Sequence, residues 1–252
     1  MPKSEYNKGE LLDSILLEKF ESAQYYDEES IKKQVYLHFT VSGYGVKGDI
    51  DWWRKDPKKV ATHFIVDYDG VIHQLFSTRF WCHHLGVKDD FFRKILGEEH
   101  LIISPKNNIL NNHILNKESI GIEIDSWGPL LENNGKLYPI KWDLDLRRYM
   151  PNTNIKPISQ DHILKLDKPY RGYTYFEKFS KAQIKSVEMM LFYFNEKYGI
   201  PLTYNSDMFE VSKKALLGTP GIWSHSSVRA DKYDIMPQPE MIAMLKSLTE
   251  KS

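Results

Sequence analysis

Runs of apolar and β-branched residues mark five places in the chain as strands. Gln34–Thr40 (Q-V-Y-L-H-F-T) is the first. Thr62–Val66 and Val71–Phe76 flank the turn residues Asp67-Tyr68-Asp69-Gly70, a pattern that predicts a β-hairpin. Ser119–Ile124 (S-I-G-I-E-I) is a short apolar run that fits a buried strand, and Gly221–His225 is the fifth. Helical spacing appears in three other places. Leu12, Ile15, Leu16 and Phe20 fall on one face of a helix over residues 9–27. Ile184, Val187, Leu191 and Phe194 follow Ser180 and Gln183, which form a capping box, and Gly199 and Pro201 close that helix. A last helix runs from Glu240 toward Thr249.

Residues 126–179 break the pattern. They hold Pro129, Pro139, Pro151, Pro157 and Pro169 among many aromatic and charged residues, and they read as an insertion of loops with short strands. Strands mixed with helices predict an α/β fold: a single domain with a central mixed β-sheet flanked by helices. Its core blocks are residues 34–125 and 180–251, with the aromatic-rich insertion between them. A chain of 252 residues suits one such domain with a sizeable insertion.

Charge narrows the partners. Lys plus Arg is 34 and Asp plus Glu is 34, and a nucleic-acid binder would show a basic excess. No apolar stretch is long enough for a membrane span. Cys82 is the single cysteine of the chain, which rules out an internal disulfide and a four-cysteine zinc site. The polar N-terminus lacks the apolar core of a secretory signal. The expectation is synthesis in the cytoplasm, with any action on a cell wall following release.

Nine histidines offer candidate chemistry. There is no H-E-x-x-H, so a metal site must collect ligands from distant elements. Catalytic zinc takes three protein ligands and keeps one position open. Two segments qualify: Tyr36-Leu37-His38-Phe39-Thr40, and Trp223 to Asp234, where a strand delivers His225 and a charged loop delivers Lys232 and Asp234. Pattern alone leaves that loop as either a solvated turn or a ligand loop.

Four blocks, in order, resemble the type 2 N-acetylmuramoyl-L-alanine amidases. His38-Phe39-Thr40 is similar to the family's first metal block, and Ala61 to Ile72 to its central hairpin. His84-Leu85-Gly86 with Ser119 to Ile124 resembles the histidine-x-glycine and S-I-G-I-E blocks, and His225 to Asp234 the final block. The resemblance implies zinc held by His38, His225 and Asp234. It makes Glu123 the acid–base group beside the metal, sets Lys232 beside the scissile carbonyl and puts His84 in the cleft lining, as a substrate-binding residue. Thr62 stands where some members carry a catalytic tyrosine, so the carboxylate version of the mechanism is expected.

The chemistry is coherent in its own terms. Two neutral imidazoles and a carboxylate leave zinc with net positive charge, which lowers the pKa of water toward neutrality. Trp52 and Trp53, just after the first metal block, are candidates for a cleft wall that binds substrate. The insertion's Trp127, Tyr138, Trp142, Tyr149, Tyr170, Tyr173 and Tyr175 either stack on substrate or build a local core. The resemblance implies hydrolysis of the amide between N-acetylmuramic acid and L-alanine in peptidoglycan, in a lytic enzyme of endolysin or effector type. A cytosolic enzyme recycling soluble muropeptides, a non-catalytic peptidoglycan-binding module and a zinc hydrolase for another amide are the alternatives, since ligands do not specify substrate.

Overall fold

A computed structural model of the protein describes residues 15–18, 20–97 and 111–251. Its centre is a six-stranded sheet, built from β1 (Ile15–Leu17), β2 (Gln34–Phe39), β3 (Phe64–Val66), β4 (Ile72–Gln74), β5 (Ser119–Ile124) and β11 (Gly221–Ser224). The strand order is β1-β4-β3-β5-β2-β11. β11, β2, β5 and β3 run parallel, and β4 returns antiparallel to β3 as the predicted hairpin. β2 is buried along its whole length, as a parallel strand covered on both faces must be.

Register places the chemistry. His38 pairs with Glu123 across β2 and β5, and Leu37 pairs with Ser224 across β2 and β11. His38, Glu123 and His225 therefore gather at the carboxyl ends of three adjacent parallel strands, where open α/β sheets bind ligands.

Helices α1 (Lys47–Lys55), α2 (Asp89–Leu96), α3 (Asn112–Lys117), α4 (Lys181–Tyr198), α5 (Lys213–Leu216) and α6 (Pro239–Lys251) surround this sheet. α4 starts at the expected capping box: Ser180 Oγ accepts from Gln183 N–H, and the Gln183 side chain accepts from Ser180 N–H. Its buried Val187, Leu191 and Phe194 join Phe64, Ile122 and Ile124 in the main core. No helix of the described residues is long and apolar enough to cross a membrane.

Two expectations are corrected. Ile15–Leu17 is not a helical turn but an edge strand parallel to β4, pairing Ile15 with Ile72 and Leu17 with Gln74. Leu12 lies outside the described residues, whereas Phe20 is buried as the apolar spacing requires. Three apolar residues beside an unpaired strand edge satisfy more backbone groups by pairing than by starting a helix. The insertion is also more regular than loops. It forms a second, five-stranded antiparallel sheet from β6 (Pro129–Asn133), β7 (Lys136–Asp143), β8 (Arg148–Pro151), β9 (Ile163–Tyr170) and β10 (Tyr173–Glu177), ordered β8-β7-β6-β10-β9. Asn134-Gly135 and Arg171-Gly172, all at positive φ, close two-residue hairpins of the type that suits strand twist. Leu130, Leu137 and Ile158 form its small core, with Trp127 and Tyr175 packed against it.

Candidate active site

Three side chains meet at the end of the sheet. His38 Nδ1 lies 3.0 Å from His225 Nδ1 and 3.2 Å from Asp234 Oδ2, and His225 Nδ1 lies 3.0 Å from the same oxygen. Two ligands at about 2.0–2.1 Å from a tetrahedral zinc stand roughly 3.3–3.4 Å apart, so the triangle has nearly the size such an ion needs. All three residues are buried.

The outer hydrogen bonds fix which nitrogens carry protons. His225 Nε2–H donates to the Leu85 carbonyl at 2.8 Å, so Nδ1 is the nitrogen this ring can offer to a metal. Ser119 Oγ–H donates to the Leu115 carbonyl at 2.6 Å, so Ser119 Oγ accepts from His84 Nε2–H at 2.9 Å. His84 Nδ1 is then an acceptor and takes the proton of His38 Nε2 at 3.1 Å, so Nδ1 is the nitrogen that His38 can offer as well. Burial, reinforced by His225, pushes His38 down to about 4, and burial holds His84 well below the usual imidazole range, so both rings are neutral. Burial pushes the Asp234 carboxyl up, but the neighbouring His225 and His38 hold it below its ordinary value, so it is ionised. Two imidazole nitrogens and a carboxylate oxygen thus face one another within 3.2 Å. A cation lying between them satisfies all three. The donor set fits zinc, with outer partners orienting each ligating ring.

Glu123 enters the same cleft from β5. Its Oε2 is buried and is the one such side-chain polar atom among the described residues with no hydrogen-bond partner. Burial, then the negative charge of Asp234, raises this carboxyl well above its ordinary value, and Lys232 opposes the rise. A carboxyl raised in this way is suited to taking up and passing on a proton. Lys232 also lines the cleft.

Other expected residues separate. His84 lines the cleft, but both of its ring nitrogens are engaged, by His38 and by Ser119. Its bond to His38 holds that ring in orientation, and both of its own nitrogens are committed within the protein. Gly121 makes room for it: a Cβ there would stand 3.0 Å from His84 Nδ1 and 2.9 Å from Thr62 Cγ2. The glycine of S-I-G-I-E is thus a close-approach position. Trp53 is 7% exposed and lines the cleft, whereas Trp52 is 58% exposed on the outer face of α1 and does not, so only one of the expected pair forms a wall.

Sequence reasoning passed over Arg229 and Tyr233 and left Tyr149 open between stacking on substrate and a local core; all three line the cleft. Arg229 is braced by Asp231 through bonds of 3.0 and 2.5 Å. Tyr233 stacks on Phe39 at 5.9 Å. Arg229 and Tyr233 lie inside the terminal block, so their position was a signal. Tyr149 comes from β8 of the insertion, 76 residues before His225 in the chain, and no local spacing announces it.

The profile of the family described as N-acetylmuramoyl-L-alanine amidase matches residues 28–239. No protein with a curated description matches the chain. Among solved structures, PlyL is similar at 12% identity and a TM-score of 0.44, over 92% of this chain and 95% of that one. A selenomethionine derivative of AmpD is similar at 12% identity and a TM-score of 0.42, over 93% and 92%. The hydrolase AmiA of Staphylococcus aureus, in complex with its ligand, is similar at 11% identity and a TM-score of 0.47, over 99% and 93%.

Proposed function

The chain belongs to the N-acetylmuramoyl-L-alanine amidase family, and from that premise we propose that it is a zinc-dependent hydrolase of the muramoyl–L-alanine amide in peptidoglycan, acting as a lytic enzyme on the wall polymer. The observation that carries the zinc is the buried convergence of three potential ligand atoms, His38 Nδ1, His225 Nδ1 and Asp234 Oδ2, within 3.2 Å of one another.

His38, His225 and Asp234 would hold the ion, and when bound it supplies Lewis acidity to the scissile carbonyl and to the attacking water. Glu123 takes the proton released by attack and passes it to the departing L-alanine nitrogen. Lys232 sets positive charge beside the carbonyl oxygen, where negative charge develops. His84 and the Leu85 carbonyl keep the two imidazoles oriented throughout. The presence of Glu123 and Lys232 beside a complete ligand set favours catalysis over a binding module.

Incubating the protein with muropeptides, with and without a chelator, and weighing the products tests this reading. It expects free stem peptide and unsubstituted N-acetylmuramic acid, and no product when metal is removed. Intact sacculi and soluble fragments supplied in parallel test the lytic part, which fails if only fragments are cut.

A further inference from the structure

The β7–β8 hairpin carries an apolar surface that the chemistry above leaves unused. Trp142 is 51% exposed, Tyr149 41%, Leu144 80% and Leu146 54%. None of them belongs to the insertion's small core. Trp142 and Tyr149 pair across the two strands, with ring centroids 5.1 Å apart and planes at 76°. This edge-to-face arrangement makes a corner, one ring face standing against the other ring's edge.

The corner is continuous with the active-site cleft. Tyr149 lines the cleft together with Tyr233, the neighbour of Asp234. The cleft is about 310 Å³, at the small end of ligand pockets. A glycan strand with its peptide exceeds that volume, so bound polymer must leave along a wall, and the wall at Tyr149 is aromatic.

The chemistry of this wall selects among occupants. A sugar ring has apolar C–H faces and a hydroxyl rim. It covers an aromatic face while its hydroxyls stay in water, burying apolar area without stranding polar groups. A stem peptide brings carboxylates that need fixed cations. The cations lining the cleft, Lys232 and Arg229, come from the segment after β11, whereas the hairpin lends the lining Tyr149 alone. The hairpin's own Lys141, Arg147 and Arg148 do not line the cleft, and Arg148 stands opposite Asp143 in the strand register.

We propose that Trp142 and Tyr149 form a saccharide subsite, seating a sugar of the glycan strand beyond the residue whose amide is cut. The proposal rests on the amidase reading for the identity of the strand. Its probe is a β-1,4-linked N-acetylglucosamine tetrasaccharide, titrated into the full chain by calorimetry. Wild type is expected to bind it. Trp142→Ala should weaken binding about tenfold, the usual cost of truncating an aromatic anchor, and Trp142→Phe should largely retain it. Hydrolysis of a one-sugar muramoyl peptide should be the same in Trp142→Ala as in wild type, while KM for polymeric glycan rises. Absence of tetrasaccharide binding by wild type, or equal binding by Trp142→Ala, overturns the subsite. So does loss of stem-peptide binding, or of self-association in sedimentation, as the only effect of Trp142→Ala. Saccharide binding without any amide cleavage leaves the subsite standing and sinks the amidase reading, so the two fail separately.

Discussion

His84 Nδ1 accepts the Nε2 proton of His38 at 3.1 Å, and this bond turns the opposite nitrogen of His38 toward His225 and Asp234. His84 is in turn anchored by Ser119, so the orientation of a ligating ring is set two residues away from the metal position. Outer partners of this kind typically contribute about 10–100-fold to metal affinity. His84→Ala is therefore expected to weaken zinc binding by that order while the chain stays folded. Competition with a chelator of known affinity measures it.

Gly121→Ala tests the same arrangement from below. The added methyl would press on His84 Nδ1 and Thr62 Cγ2 at 3.0 and 2.9 Å, in a buried site. Overpacking of this kind typically costs about 1–3 kcal/mol. The expected result is a lower unfolding midpoint together with weaker zinc retention. A change in stability alone would show that His84 is not displaced.

Glu123→Gln should keep zinc and lower kcat by about 10²–10⁴-fold, the usual contribution of a positioned acid–base group. It also carries a stability prediction for the metal-free protein. Glu123 is raised above its ordinary value of 4.5 chiefly by burial. A raised carboxyl binds its proton more tightly in the folded than in the unfolded state. Its contribution is therefore full below 4.5 and is lost as pH climbs through the folded value. Removing the charge should make Glu123→Gln more stable than wild type at neutral pH and not at pH 4. Denaturant unfolding at the two pH values checks the sign.

Lys232→Ala should reduce kcat more than it raises KM, because its contact strengthens as charge develops on the carbonyl oxygen. A pure KM effect in steady-state kinetics would assign Lys232 to ground-state binding.

The legible parts of the fold were those with one dominant period. β2, β5 and α4 stand where Val35–Phe39, Ile120–Ile124 and the Ser180–Gln183 box put them. The site is only half a sequence property. His38 and Glu123 become neighbours through the register of β2 and β5, and no spacing within either strand contains that pairing. The resemblance of ordered blocks supplied what spacing did not. The insertion was legible only as loops with short strands, because its prolines hid how regular the sheet is. Pro129 opens β6, Pro151 ends the edge strand β8 and Pro169 lies in the other edge strand, β9, positions where a missing N–H costs little. The Asn134-Gly135 pair was a hairpin signal in plain view. At Ile15–Leu17, apolar spacing fitted a helix, and pairing with β4 decided otherwise.

The central claim is that His38, His225 and Asp234 hold a catalytic zinc. Metal analysis of the purified protein, set beside amidase activity before and after chelation, tests it most directly. The account predicts one zinc per chain, loss of activity on chelation, recovery on adding zinc, and loss of both metal and activity in His225→Ala. Full activity in protein shown to be free of metal, or full zinc retention by His225→Ala, would contradict it.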